Sequence, residues 1–181
     1  MSLLAQPPAS PAIRPAGVAE IPTLRALAER IWRASYAILL SPEQIDYMLD
    51  RMYAPETIER EMAGGVIWEI AWLDDEIIGF HSCTYESGTS RLKLNKLYLL
   101  PERQGHGFGQ RLLDRVHSLA ASLGARKVWL QVNKQNTRAI QAYKRAGYIV
   151  EREAVFDIGG GFVMDDFIMT RAISGVDTSS T

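Results

Sequence analysis

Leu97-Tyr98-Leu99-Leu100-Pro101-Glu102-Arg103-Gln104-Gly105-His106-Gly107-Phe108-Gly109-Gln110-Arg111-Leu112-Leu113 runs from an apolar strand through a proline and a glycine-rich turn into a helix. Leu112, Leu113, Val116, Leu119, Ala120 and Leu123 recur at helical spacing, and Gly124 supplies the stop. A turn of this kind aims backbone N–H groups at an anion. The helix dipole reinforces that, and glycines let the chain approach a phosphate with no side chain intervening. Two commoner phosphate motifs do not fit. No Gly-Lys-Ser or Gly-Lys-Thr closes the turn, and Gln110 stands where a dinucleotide fingerprint requires glycine. On these residues alone, a tight strand-to-helix connection without a ligand stays open.

Upstream of the turn, Leu92 and Leu94 change parity with Leu97 and Leu99. A strand does this by inserting one residue as a bulge, so a kinked strand ending at Pro101 is predicted. Before it, Val66 to Leu73 and Ile77 to Phe80 flank Asp74-Asp75 as an antiparallel hairpin. The N-terminal third reads as a short strand at Ala12 to Arg14 and a helix with Leu24, Leu27, Ala28, Ile31 and Trp32 on one face, running to about Leu39. A second helix capped by Ser41 with Pro42 in its first turn follows, and a third from Pro55 to Gly64-Gly65. Downstream come a strand at Val128 to Val132, a helix at Thr137 to Ala146 closed by Gly147, and strands Tyr148 to Asp157 and Phe162 to Arg171 around Gly159-Gly160-Gly161. The class is α/β: a mixed, mostly antiparallel sheet of about seven strands flanked by helices.

The chain of 181 residues, 47% hydrophobic and 23% charged with a net charge of -1, reads as one domain at residues 12–173. Residues 1–11, broken by Pro7 and Pro8 and lacking a basic start, read as a flexible leader, and residues 174–181 as a disordered tail. No nucleic-acid partner is expected from this charge, and no membrane span from any apolar run. The single Cys83 and the scattered His81, His106 and His117 predict no disulfide and no metal, and suit a cytoplasmic setting.

Gln104-x-x-Gly107-x-Gly109 after Leu97-Tyr98-Leu99 and Pro101 resembles the coenzyme A signature of the GNAT superfamily of N-acetyltransferases. Asn133, Asn136, Ala139, Tyr143 and Gly147 resemble that family's next segment, the other wall of its cofactor cleft. The resemblance covers most of the chain. It implies strands four and five that splay to admit the pantetheine arm, with acetyl-CoA as co-substrate. Backbone groups of Leu97, Tyr98 and Leu99 would meet the pantetheine amides, and the turn from Gln104 through Gly105, His106, Gly107 and Phe108 to Gly109 would meet the pyrophosphate. It also implies Tyr143 as general acid and the Leu99 N–H as donor to the thioester carbonyl. Trp32, Tyr36, Tyr47-Met48, Tyr53 and the segment Asp157 to Asp166 resemble a bacterial branch that includes PaiA-type polyamine acetyltransferases, which implies a small amine acceptor.

Transfer to an amine also needs a proton acceptor. Histone-acetyltransferase-like relatives carry a glutamate on strand four, where this sequence has Lys93, Asn95 and Lys96. That moves attention to ordered water, His81 on the third strand, or Asp165 and Asp166, of which strand alternation turns one inward. Trp32, Tyr36, Tyr47, Met48 and Tyr53 are candidate acceptor-pocket residues, with aromatic faces suited to an ammonium ion, or else ordinary core. Cys83 lacks a neighbouring His and Asp to activate it as a nucleophile. A peptide acceptor, which needs an open groove between the N-terminal helices and the last hairpin, and a silent acetyl-CoA-binding module are the alternatives. Exposed edges on that hairpin allow a homodimer.

Overall fold

The structure is a computed structural model that describes residues 10–174; the rest of the expected leader and tail lies outside the described residues. Seven strands, β1 (Ala12–Pro15), β2 (Ile67–Leu73), β3 (Glu76–Glu86), β4 (Arg91–Leu99), β5 (Lys127–Asn133), β6 (Ile149–Gly159) and β7 (Phe162–Ala172), form one sheet in the order β1-β2-β3-β4-β5-β7-β6. Among the described residues only β4 and β5 are parallel neighbours; the other pairs are antiparallel. The helices are α1 (Ile21–Tyr36), α2 (Pro42–Tyr53), α3 (Pro55–Ala63), α4 (Phe108–Ser122) and α5 (Thr137–Arg145).

Each helix stops or starts for a readable reason. The Ser41 hydroxyl accepts the Gln44 N–H at 3.2 Å, and Pro42 and Pro55 open α2 and α3 where an N–H has no partner to lose. The first helix ends at Tyr36, short of the expected Leu39, because the chain turns there with Leu39 and Leu40 N–H both donating to the Tyr36 carbonyl. The third strand runs on to Glu86, well past Phe80. Its partner β4 supplies the reason: Leu92 to Tyr98 pair with Tyr85 back to Phe80.

The parity change on β4 is a bulge at Asn95. Cys83 pairs with Leu94 and Ser82 with Lys96, so Asn95 is the residue without an opposite number. Leu92 and Leu94 pack with Leu113, Val116 and Leu130 on one side of the bulge, and Leu99 packs with Ile78 and Leu112 beyond it. On the other face of the sheet α1, α2 and α3 bury Trp32, Tyr53 and Ile58 against Trp68 and Phe80. Burial of this order, about 25 cal/mol per Å² of apolar surface, clamps both layers onto β4.

Candidate active site

The parallel pair β4–β5 holds together only from Arg91 opposite Lys127 to Leu94 opposite Leu130. Beyond that point β5 continues along β7, with Asn133 opposite Asp166, while β4 continues along β3, with Leu99 opposite Gly79. The two strands part and leave a gap. Leu100 N–H donates to the Ile78 carbonyl, which makes Leu99–Gly79 a non-hydrogen-bonded pair. By the same alternation the backbone groups of Leu97 and Leu99 turn away from β3 into the gap, and those of Tyr98 turn toward β3. Tyr98 therefore reaches the cleft with its side chain only, a correction to the expectation that its backbone meets the ligand. The Gln104 side chain donates to the Leu99 carbonyl at 3.2 Å, which leaves the Leu99 N–H as the group aimed into the gap.

The glycine turn lies beside that N–H. Gly105 and Gly107 have φ of 84° and 82°, a left-handed conformation that glycine adopts without strain, and a Cβ on either would meet nothing within 4 Å. Gly107 is the residue before α4, whose first-turn N–H groups have no intrahelical acceptor. These features form a positively polarised cradle open to an anion. His106 and Phe108 join it through backbone only. The exposed His106 ring stacks near the Phe108 ring at 6.0 Å, and Phe108 packs against the cluster of Ala71, Ile78, Leu99 and Leu112.

On the opposite wall the Asn136 side chain accepts the Ala139 N–H at 3.2 Å and caps α5, and the Asn133 side chain accepts the Gln135 N–H at 2.9 Å. Both asparagines shape the loop that starts α5. Ala139 and Tyr143, four residues apart, present one helical face to the cleft. The Tyr143 ring meets the Tyr148 ring edge-on at 5.6 Å. Burial raises the Tyr143 phenol above its ordinary pKa, and the nearby Tyr36 adds to the rise. It stays protonated at neutral pH.

The cleft measures about 1020 Å³ and passes from this donor wall to a second one built by the end of α1, by α2 and by the β6–β7 hairpin. Trp32 is 2% exposed and mostly core, stacked on Tyr36 at 4.6 Å, and both rings border the cleft. Burial raises the Tyr36 phenol pKa; hydrogen bonding with Tyr98 and Asn136 opposes this, and the Asp166 charge adds to it. Asp166 is 4% exposed and its Oδ1 has no hydrogen-bond partner. Burial, reinforced by the charge of Asp165 and opposed by Lys134, pushes its carboxyl up to about 6. Its neighbour Asp165 points out to solvent against Lys134 Nζ at 2.6 Å. The inward and outward division of the two aspartates is the one strand alternation demands.

His81 is not in the cleft. It is fully buried, with Nε2 3.0 Å from Glu69 Oε2, and Glu69 in turn accepts Arg115 Nε at 2.8 Å from α4. Burial alone would raise the Glu69 carboxyl, but the adjoining His81 ring and the hydrogen bonds from Arg115 hold it at about 2. The signal was legible: a glutamate inside the apolar run Ile67 to Leu73 needs a partner. Cys83 is buried beside His81 Nδ1 at 3.8 Å, and burial pushes its thiol well above the ordinary range, so it is inert.

Where strand four lacks a glutamate, Asn95 Nδ2 donates to Thr84 Oγ1 at 2.8 Å and Lys93 Nζ lies 4.7 Å from the Trp129 ring centre. Lys96 is held by both oxygens of Glu61, at 3.1 and 3.0 Å. Sequence reasoning did not find Arg51, Met52 and Phe156, which line the second wall together with Ile158 and Met164 of the segment Asp157 to Asp166. Tyr47 and Tyr53, by contrast, serve structure: Tyr53 is wholly buried, and Tyr47 Oη donates to the Ile158 carbonyl at 2.7 Å. Arg51 donates to the same carbonyl. These bonds tie α2 to the last hairpin across the expected groove.

Parted parallel strands, a glycine cradle at a helix N-terminus and unpaired backbone groups between them define a protein that admits a long phosphate-bearing cofactor edge-on into its sheet. Residues 22–148 match the acetyltransferase (GNAT) family, and the chain belongs to that family. Acetyl-CoA is the co-substrate of that family, and the cradle and gap fit its phosphates and pantetheine amides. A spermidine N(1)-acetyltransferase of Thermoplasma acidophilum is 26% identical over 164 residues, 88% of this chain and 95% of that protein. The crystal structure of the PaiA N-acetyltransferase of the same organism, in complex with coenzyme A, superposes with a TM-score of 0.77 at 26% identity. That match covers 90% of this chain and 99% of that one. An uncharacterised N-acetyltransferase of Mycobacterium bovis is 33% identical over 100 residues, 55% of this chain; the match spans 63% of that relative's length.

Proposed function

We propose that the protein transfers the acetyl group of acetyl-CoA directly to the amine of a small molecule within a ternary complex. The observation that supports this reading is that one cleft is lined by three groups of complementary chemistry: Leu99 on β4, whose N–H turns away from β3, Tyr143 on α5, and Asp166 on β7, whose Oδ1 has no hydrogen-bond partner. Asp166 holds the acceptor ammonium and takes its proton, directly or through water, since a carboxyl at about 6 is ionised yet basic at neutral pH. The freed amine attacks the thioester carbon. The Leu99 N–H donates to the carbonyl oxygen as negative charge develops on it. As the C–S bond breaks, Tyr143 gives its proton to the departing sulfur and recovers one from the still-protonated nitrogen as the amide forms, while Asp166 releases the proton it took to solvent. Asn136 and the cap it makes fix the start of α5 and hence the reach of Tyr143.

A small acceptor is supported by the bonds from Tyr47 and Arg51 to Ile158, which close the groove a peptide would need. The relative that acts on spermidine also points to amines. The test is coenzyme A release with mass analysis of products from a panel of amines and peptides. Turnover only with peptides, or none with any acceptor despite acetyl-CoA binding, removes this reading in favour of a protein acetyltransferase or a silent binding module.

A further inference from the structure

We propose that the acceptor is a singly charged primary amine carrying an aryl or branched alkyl body, not a polyamine; this rests on the transfer reading above. Among the described residues that line the cleft, Asp166 is the one carboxylate, and Arg51, Lys96, Arg138 and Arg145 are cations. The nearby Glu61, in an adjoining pocket of about 270 Å³, has both oxygens held by Lys96 and is not free for a second ammonium group. A polyamine would pair one nitrogen with Asp166 and bring its remaining charges against apolar surface and like charge, at the cost of desolvating each.

Along the hairpin from Asp166 the inward face is apolar. Phe156 pairs with Met164 across the hairpin, two residues along from the pair Ala154 and Asp166, so these side chains share the inward face. Two residues of strand advance about 7 Å, which places a thioether and a phenyl ring one short linker away from the carboxylate. Met48 and Met52 of α2 and Ile38, 94% exposed at the mouth, continue the same wall. Trp32, Tyr36 and Tyr98 form an aromatic floor next to Asp166, with Tyr36 and Tyr98 ring centres 6.5 Å apart. A floor of rings receives one ammonium by cation–π attraction, and methionines on the far wall adapt to an irregular apolar body.

The test measures both recognition and turnover for 2-phenylethylamine and spermidine, using the whole protein with coenzyme A bound for calorimetry and acetyl-CoA for rates. The expected result is at least tenfold tighter binding and at least tenfold higher kcat/KM for 2-phenylethylamine. Ile38→Glu, at an exposed position where folding is not at stake, and Met164→Glu should each narrow that ratio by weakening 2-phenylethylamine and strengthening spermidine. Equal or tighter binding of spermidine by the unaltered protein, or binding of neither amine, overturns the inference. The expected binding order without turnover leaves the recognition intact and sinks the transfer reading instead.

Discussion

Replacing Asp166 by asparagine keeps the shape of the side chain and removes the one charge the cleft wall holds without a hydrogen-bond partner at Oδ1. The carboxyl rises from 3.8 to about 6 in the folded protein, and a displacement of that size corresponds to about 3 kcal/mol at 1.36 kcal/mol per pKa unit. The cleft is open to water and Lys134 lies nearby, so a net effect of roughly 1–3 kcal/mol is expected. The sign follows from linkage. A carboxyl whose folded pKa is raised contributes stability that is fully present below 3.8 and lost as pH rises through about 6. Asp166→Asn should therefore be more stable than the parent at pH 8, by roughly 3–10 °C in Tm for a domain of this size. The advantage should shrink between pH 6 and pH 4. Thermal melts of the ligand-free protein across that range measure it. The same variant should keep its affinity for coenzyme A while kcat/KM for the amine falls about 100-fold. A stability difference that does not change with pH, or a variant less stable at pH 8, would refute the argument that burial strains this carboxylate.

Tyr143→Phe should bind acetyl-CoA with unchanged affinity and lose about 100-fold in turnover, measured by calorimetry and by thiol release; unchanged turnover removes the phenol from the mechanism. Gly107→Ala forces a left-handed residue before α4 to carry a methyl group, at roughly 1–2 kcal/mol of backbone strain, and pushes that methyl into the anion cradle. Coenzyme A affinity should fall at least tenfold by calorimetry, and retention of full affinity would show that the phosphates lie elsewhere. Glu69→Gln leaves Arg115 and His81 without their buried carboxylate and should cost roughly 2–4 kcal/mol in urea denaturation at pH 7. Because the Glu69 carboxyl is held at about 2, its contribution is present above 4.5 and lost as pH falls toward 2. The variant should accordingly show a flatter acid limb than the parent, and parallel limbs would count against the Glu69 assignment.

The donor half of the cleft was readable because its determinants are local. The parity change from Leu94 to Leu97 exposes the bulge at Asn95, Gly105 and Gly107 mark left-handed backbone, and the 139/143 spacing puts two residues on one helical face. The alternation of Asp165 and Asp166 was equally local, although which of the two faces inward depends on the register of β7 against β5. Tyr98 was misjudged because backbone direction is set by the pairing of β4 with β3, which no single strand encodes. His81 was misplaced for a related reason: its partner Glu69 lies on the neighbouring strand and Arg115 on a helix packed above it. The apolar second wall of the cleft was only partly visible because β6 is largely exposed along its length. Phe156 gains its significance only from Met164 opposite and from α2 beyond.

The bond from Tyr47 to the Ile158 carbonyl joins residues 111 positions apart, and this separation divides the protein in an uneven way. The glycine cradle and α5 come from one continuous stretch in the middle of the chain, whereas the second wall draws on α1, α2 and the last hairpin, towards its two ends. Substitutions near residues 38–52 or 156–166 can thus accumulate without passing through the donor machinery. Under the transfer proposed above, a lineage that keeps its central segment is free to explore new amines by altering its flanks, and a duplicated copy can acquire a different acceptor while inheriting the acetyl donor unchanged.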